Sequence, residues 1–242
     1  MPTSETYKLL IDENKLDEFR ILLANNPNDM DYLIYFVRSV VLKNNIQFME
    51  MLMYNFFNYD PINDDNYAIS LCVQRYVNID MTKFFLDLGI DIHFSKYKCV
   101  YFDSDNKVIS TKNITGKPDF LFSNICGNFH YEKIKLLLEH GVNPNTQNGN
   151  CYIQLLGSKV KDYLKAVLLF IEYGFDITCN DNDPLLYAIY DKKWPLVKLL
   201  LENGANMEIV NKRLNEQTDE KDRKIINFLK EYGADIYAIS FL

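Results

Sequence analysis

Apolar residues recur at i, i+3 and i+4 in short runs along almost the whole chain. Ile134, Leu137 and Leu138 form one such run, and Val197, Leu200 and Leu201 another. This is the spacing of one buried stripe on a short amphipathic helix. Five runs close on one phrase: Leu86-Asp87-Leu88-Gly89-Ile90-Asp91, Leu138-Glu139-His140-Gly141-Val142-Asn143, Ile171-Glu172-Tyr173-Gly174-Phe175-Asp176, Leu201-Glu202-Asn203-Gly204-Ala205-Asn206 and Lys230-Glu231-Tyr232-Gly233-Ala234-Asp235. A glycine just past a helical stripe is the expected C′ residue, because it enters the left-handed region without a Cβ penalty. The Asp or Asn two places later can bond its own local backbone and turn the chain. The phrase is therefore read as punctuation between helices, a role that absorbs five of the nine glycines, and not as a ligand site.

The glycines step by 52, 33, 30 and 29 residues. Two degenerate copies extend the series toward the N-terminus: Leu16, Phe19, Ile21, Leu22 and Leu23 lead into Asn25-Asn26, and Phe48, Met49, Met51, Leu52 and Met53 lead into Tyr54-Asn55. Asn is the second choice for a left-handed cap, so it is expected to replace glycine in both. Seven units result. Self-similarity at about 30 residues marks a solenoid of stacked helix pairs, in which no pair buries its apolar face alone.

The openings of the units carry a family signature. Asp183-Pro184-Leu185-Leu186-Tyr187-Ala188-Ile189, which begins 21 residues before Gly204, resembles the Thr-Pro-Leu-His-x-Ala-Ala opening of an ankyrin repeat. That family's closing phrase is Leu-Leu-x-x-Gly-Ala-Asp-Val. Asp183 can stand as N-cap in place of Thr, and Pro184 fits the first helical position. Pro195 opens the second helix, after Lys192-Lys193 at the family's Gly-His position. Pro118, Phe120, Ser123 and Gly127-Asn128 occupy equivalent slots two units earlier, and Asn113-Ile114-Thr115-Gly116-Lys117 and Thr146-Gln147-Asn148-Gly149-Asn150 resemble the turn that precedes an opening. No unit keeps Thr-Pro-Leu-His intact, and the loops after Gly141 and Gly174 are shorter than the family pattern.

The resemblance covers nearly the whole chain, and the style of repeat, in a composition rich in Asn, Lys, Ile, Tyr and Phe, is similar to that of giant DNA virus ankyrin proteins. It implies an all-α ankyrin-repeat solenoid over residues 1–242: an N-terminal cap unit at 1–29, repeats at 30–58, 59–92, 118–144, 145–177 and 178–207, and a C-terminal cap unit at 208–242. Residues 93–117 are an insertion that accounts for the 52-residue step. Within it Cys99-Val100-Tyr101-Phe102 and Lys107-Val108-Ile109-Ser110 are β-prone and flank Asp103-Ser104-Asp105-Asn106, so a β-hairpin between the third and fourth of the seven units is expected. Trp194 is expected to act as a hydrophobic staple at the start of its helix.

Composition narrows the partners. The net charge of −7, from 33 acidic and 26 basic residues, opposes phosphate-backbone binding, so no nucleic acid is expected. No apolar run approaches the roughly 18 residues that span a bilayer, and the N-terminus lacks a signal pattern. An intracellular, cytoplasmic protein without a membrane partner is expected, in the host cytoplasm if the chain is viral. The five cysteines are scattered without Cys-x-x-Cys, which suits reduced thiols and no zinc site. Cys72 and Cys126 fall on small buried positions of first helices. The three histidines form no His-Glu-x-x-His arrangement. Gly116-Lys117 lacks the rest of a phosphate loop, Asp103-Ser104-Asp105-Asn106 lacks the glycine of a calcium loop, and the sequon at Asn113 has no secretion signal beside it. Neither metal nor cofactor is expected.

Function is thus read as a non-catalytic protein-binding scaffold, with a protein partner whose identity and oligomeric context the residues do not specify. The alternatives are an enzyme with a spatially assembled Cys–His site and a ubiquitin-ligase substrate adaptor, for which no ligase-docking element precedes Leu242. The family resemblance implies that variable contacts lie on the turn-side edge and first-helix faces. They map onto Gln74, Arg75, Ile114, Thr115, Lys117, Gln147, Asn148, Asn150, Asn180, Asn182, Tyr190 and Asp191. Tyr97 and Tyr101 join them from the insertion, which is locally basic (Lys96, Lys98, Lys107, Lys112) and aromatic, as interface anchors are.

Overall fold

The computed structural model describes residues 3–26, 29, 32–56, 58–64, 66–72, 77–94, 96–115, 120–128, 130–157 and 163–208. Of the expected C-terminal cap unit only Glu208 is among them, and Gly233 lies outside. The chain divides into two compact bodies, Met1–Val142 and Asn143–Leu242.

The first body holds four helix pairs: α1 (Ser4–Asp12) with α2 (Leu16–Ala24), α3 (Leu33–Leu42) with α4 (Ile46–Met51), α5 (Tyr67–Leu71) with α6 (Ile79–Asp87), and α7 (Phe120–Gly127) with α8 (Tyr131–Glu139). Each helix buries one stripe, such as Tyr7, Leu10 and Ile11 on α1 or Met81, Phe85 and Leu86 on α6. First helices stack on first helices, α1 on α3 and α3 on α5, and second on second, α6 on α8. The core beneath the first two pairs is aromatic: Tyr7, Phe19, Phe36 and Phe48 pack with centroids 4.9–5.3 Å apart. Such edge-on and tilted pairs add to the area they bury.

The second body holds α9 (Thr146–Gly157) with α10 (Tyr163–Glu172) and α11 (Cys179–Tyr190) with α12 (Trp194–Glu202), α9 stacking on α11. Six pairs are therefore seen among the described residues.

The closing phrase behaves as its chemistry demands. Gly89, Gly141, Gly174 and Gly204 have φ of +81, +85, +84 and +101°. The residue after each returns its N–H to the carbonyl five back, as from Val142 to Leu137 (3.1 Å) and Phe175 to Phe170 (2.9 Å). This is the Schellman arrangement, which satisfies carbonyls that the helix end leaves open. That following residue is buried at each site. Asp91, Asn143, Asp176 and Asn206 then accept from the backbone N–H two residues on, at 2.8–2.9 Å.

The degenerate copies differ. Asn25 stays right-handed at φ −83° and Asn26 donates its side chain to Leu22 O (2.8 Å). After α4 the helix widens into one π turn, Leu52–Phe56, and the left-handed residue is Asn58 rather than Asn55. Asparagine takes the left-handed cap elsewhere, at Asn14 and Asn44 in the turns inside the first two pairs, with Lys192 in the same role in the last. Trp194 is the first residue of α12, after an N-cap at Lys193, so it does not precede the cap as a staple would.

The two strands of the insertion, β1 (Lys96–Phe102) and β2 (Val108–Thr115), pair antiparallel from Lys96↔Thr115 to Phe102↔Val108, with an irregularity at Tyr101/Phe102. They are longer than the β-prone stretches suggested. Asn113, Ile114 and Thr115 belong to β2 instead of a turn, because Lys96-Tyr97-Lys98 supplies them with a partner strand. Asp103 closes the tip by accepting from the Asp105 and Lys107 amides, each at 2.9 Å.

A candidate partner-binding surface

The shortened loops of the second body make a turn that the family pattern did not suggest. Gln147, Asn148 and Gly149 are left-handed in succession, and so are Asn180, Asp181 and Asn182, 33 residues on. Asn and Gly carry most of this backbone because they tolerate the left-handed region. The helices proper resume after these turns, α11 at Asp183-Pro184. A Cβ on Gly149 would lie 3.0 Å from Cys179 Sγ and 3.2 Å from the Phe175 ring, so the first turn sits directly against its neighbour.

The turns form a row of amides whose members divide between stitching and display. Asn145 spans two units, donating Nδ2 to Gly174 O (2.9 Å) and accepting from Asp176 N (2.6 Å). Asn180 Nδ2 donates to Asn148 O (3.1 Å), and Asn150 Nδ2 to Gln147 Oε1 (3.3 Å). Asn148 and Asn180 are exposed, and Gln147 and Asn150 half-buried. Asn182 differs from its neighbours: it is 1% exposed, and its Oδ1 accepts from Asn206 N (2.8 Å), so its amide serves the next turn. Tyr190 is half-buried at the end of α11, and Asp191 is exposed beside Lys193 (3.3 Å).

In the first body, Tyr97, Tyr101, Ile114 and Thr115 all lie on the hairpin. Tyr101 and Thr115 are exposed, Tyr97 and Ile114 half-buried. Tyr97 and Ile114 are direct cross-strand partners, so they support one another. Gln74, Arg75 and Lys117 lie outside the described residues.

Several organising residues were not picked out from sequence. Asn14 and Asn44 stitch the first body as Asn145 does the second: Asn45 Nδ2 donates to Asn14 Oδ1 (2.8 Å), and Asn78 N donates to Asn44 Oδ1. Two lysines tie a second helix to the first helix of the neighbouring pair. Lys133 Nζ donates to Cys72 O at the end of α5, and Lys193 Nζ to Leu156 O near the end of α9, each at 2.8 Å. Cations there complement the open carbonyls of a helix end. Lys133 is buried, and desolvation lowers its pKa below the usual lysine value. Their signal was the recurrence of Asn and Lys at unit spacing, which charge counting alone does not separate from a solvated face.

Among the described residues no three His, Cys, Asp or Glu side chains gather as a metal site would, and no helix is long and apolar enough to cross a membrane. All five cysteines are free thiols, and Cys72, Cys126 and Cys151 are fully buried. Burial pushes the Cys72 thiol up to about 12 and Cys179 up to about 11.

The sequence profile described as "Ankyrin repeat" matches residues 180–212. Across 248 aligned residues the chain is 25% identical to an ankyrin repeat protein of Acanthamoeba polyphaga mimivirus, an alignment covering 96% of this chain and 75% of that one.

Proposed function

This chain is an ankyrin-repeat protein resembling those of giant viruses, and on that premise we propose that it is a non-catalytic scaffold that binds a partner protein through its turn-side edge. Ankyrin repeats generally mediate protein–protein interaction. The observation that carries the finer reading is the pair of left-handed turns 33 residues apart, Gln147–Gly149 and Asn180–Asn182, on which Asn148 and Asn180 are exposed to solvent. Side-chain and backbone polar groups fixed by such a scaffold bind with little further ordering cost. In this reading the contact surface of the second body comprises Gln147, Asn148, Asn150, Asn180, Tyr190 and Asp191, with Asn182 as its internal brace. In the first body it comprises Tyr97, Tyr101, Ile114 and Thr115. Gln74, Arg75 and Lys117 belong to it by their place in the repeat. The full reading has seven units, the first and last of them caps, with the hairpin between the third and fourth, in an intracellular protein of the host cytoplasm.

Two of the thiols do not resemble an enzyme nucleophile. Catalytic cysteines have depressed pKa values in electropositive, accessible sites, whereas Cys72 and Cys179 are shifted the other way. Crosslinking mass spectrometry in native-cell lysate identifies the partner, and Tyr101→Ala then tests the site. We expect about a thirtyfold loss of affinity, corresponding to about 2 kcal/mol, with the thermal midpoint nearly unchanged. Reproducible turnover that Cys151→Ala abolishes would overturn the scaffold reading.

A further inference from the structure

The hairpin does not project freely from the first body. It lies across the first helices of the first three pairs. At its base Asn66, the residue before α5, donates Nδ2 to Lys96 O at 2.9 Å, and β1 packs on α5. Midway, Phe102 meets the Tyr35 ring edge-on at 6.1 Å, while the Arg38 guanidinium lies over Phe102 at 5.7 Å. Toward the tip, Lys107 Nζ stands over the Tyr32 ring at 5.7 Å, and Asn106 Nδ2 donates to Ser4 Oγ of α1 at 2.9 Å. One segment thus touches α1, α3 and α5 in turn. Its outer strand is left open to solvent, with Ile109 through Asn113 all exposed.

We infer that the α1–α3–α5 face, centred on Tyr32, Tyr35 and Arg38, is a second recognition surface that the hairpin occupies as a displaceable stand-in for the partner. The inference rests on the scaffold reading and adds a surface to it. The contacts of the stand-in define the partner's chemistry: an extended or hairpin segment carrying an aromatic side chain to fill the place of Phe102 and a lysine for the ring of Tyr32. Tyr32, Tyr35 and Arg38 provide such a seat because the Tyr32 ring accepts a cation, the Tyr35 ring packs edge-on with an aromatic ring, and the Arg38 guanidinium lies over an aromatic face. Displacement is feasible because a two-stranded hairpin has little stability of its own and depends on what it packs against. Tyr97 to Val100 of β1 are only half-buried, while α3 holds its own place through fully buried Phe36, Val37, Val40 and Val41.

Hydrogen exchange on the full chain tests this without the natural partner. The amides of β1 are expected to exchange at least tenfold faster than those of Val37–Val41, through an opening that leaves α3 protected. In Ser4→Cys/Asn106→Cys, oxidation to a disulfide should slow the hairpin amides at least tenfold, and reduction should restore them. A labelled peptide with the sequence of residues 96–115 is expected to bind Phe102→Ala/Lys107→Ala at least tenfold more tightly than the oxidised variant. Hairpin amides exchanging at the rate of α3 in the unaltered chain would overturn the inference, as would a peptide that binds neither variant or both alike. Should the double cysteine variant not fold, exchange in the unaltered chain decides alone. The scaffold reading would survive either failure, since it is judged on partner affinity at the turn-side edge.

Discussion

Two residues show how far single positions constrain this fold. Gly149 is left-handed at φ +76° with its missing Cβ directed at Cys179 and Phe175, whereas Gly174 is left-handed at φ +84° with nothing within 4 Å. Gly174→Ala should cost only the backbone penalty, about 1–2 kcal/mol. Gly149→Ala should cost at least about 1 kcal/mol more, because overpacking is added to it. Urea unfolding of the two variants measures the difference, and equal losses would contradict the tight seating of the turn. Asp64 tests the other kind of constraint. It is buried and accepts from Tyr67 N (3.0 Å), Ala68 N (2.8 Å) and the Tyr59 hydroxyl, capping α5. Desolvation nevertheless raises its pKa above the usual carboxylate value, outweighing those hydrogen bonds. A folded pKa above the unfolded one means that the protonated form fits the fold better. The associated stability is complete below the unfolded pKa and is lost as pH rises through the folded pKa. Asp64→Asn should therefore remove that decline, so that its stability relative to the unaltered chain improves as pH rises from about 4. Parallel stability–pH curves for the two proteins would contradict this.

At the scale of elements, the helix ends were legible and the turns between them only in part. Gly89, Gly141, Gly174 and Gly204 could be read because glycine past an apolar stripe has essentially one use, and all four perform it. Asn25 and Asn55 misled because asparagine has several uses. Asn26 caps a carbonyl with its side chain, while Asn14 and Asn44 take the left-handed positions and lend their amides to the next pair. The hairpin could be read from β-prone residues around a turn, yet nothing in the local pattern could reveal that it folds back on Tyr35 and Ser4, 67 and 102 residues away from its contact residues Phe102 and Asn106. Of the candidate surface, the exposed amides were legible, whereas the burial of Asn182 depends on the backbone of Asn206, which spacing does not reveal. Asn145 is the residue whose stitching can be isolated. Asn145→Ala removes two hydrogen bonds between neighbouring units and should cost about 1 kcal/mol or more. Lys135→Ala, which breaks only the exposed 3.8 Å pair with Glu139, should stay within about 0.5 kcal/mol. Equal effects in thermal or urea unfolding would remove Asn145 from that role.

Across the whole molecule, acidic net charge, free buried thiols and repeated helix pairs point the same way. Among the described residues, several polar side chains are spent on capping and stitching, and exposed ones lie on helices, turns and the hairpin alike. Nearest-neighbour stacking makes such an array stable without any special site, which leaves its turn-side residues free to vary with a partner. The claim that recognition lies on that edge is tested most directly by calorimetric titration of the identified partner against two variants. Tyr190→Ala, at the end of the first helix α11, should weaken binding about thirtyfold. Leu168→Ala, at a site 50% exposed on the second helix α10, should leave affinity within about twofold, as expected for a residue outside the interface. Normal binding by Tyr190→Ala together with a large loss in Leu168→Ala would place the interface on the second-helix side and contradict the account.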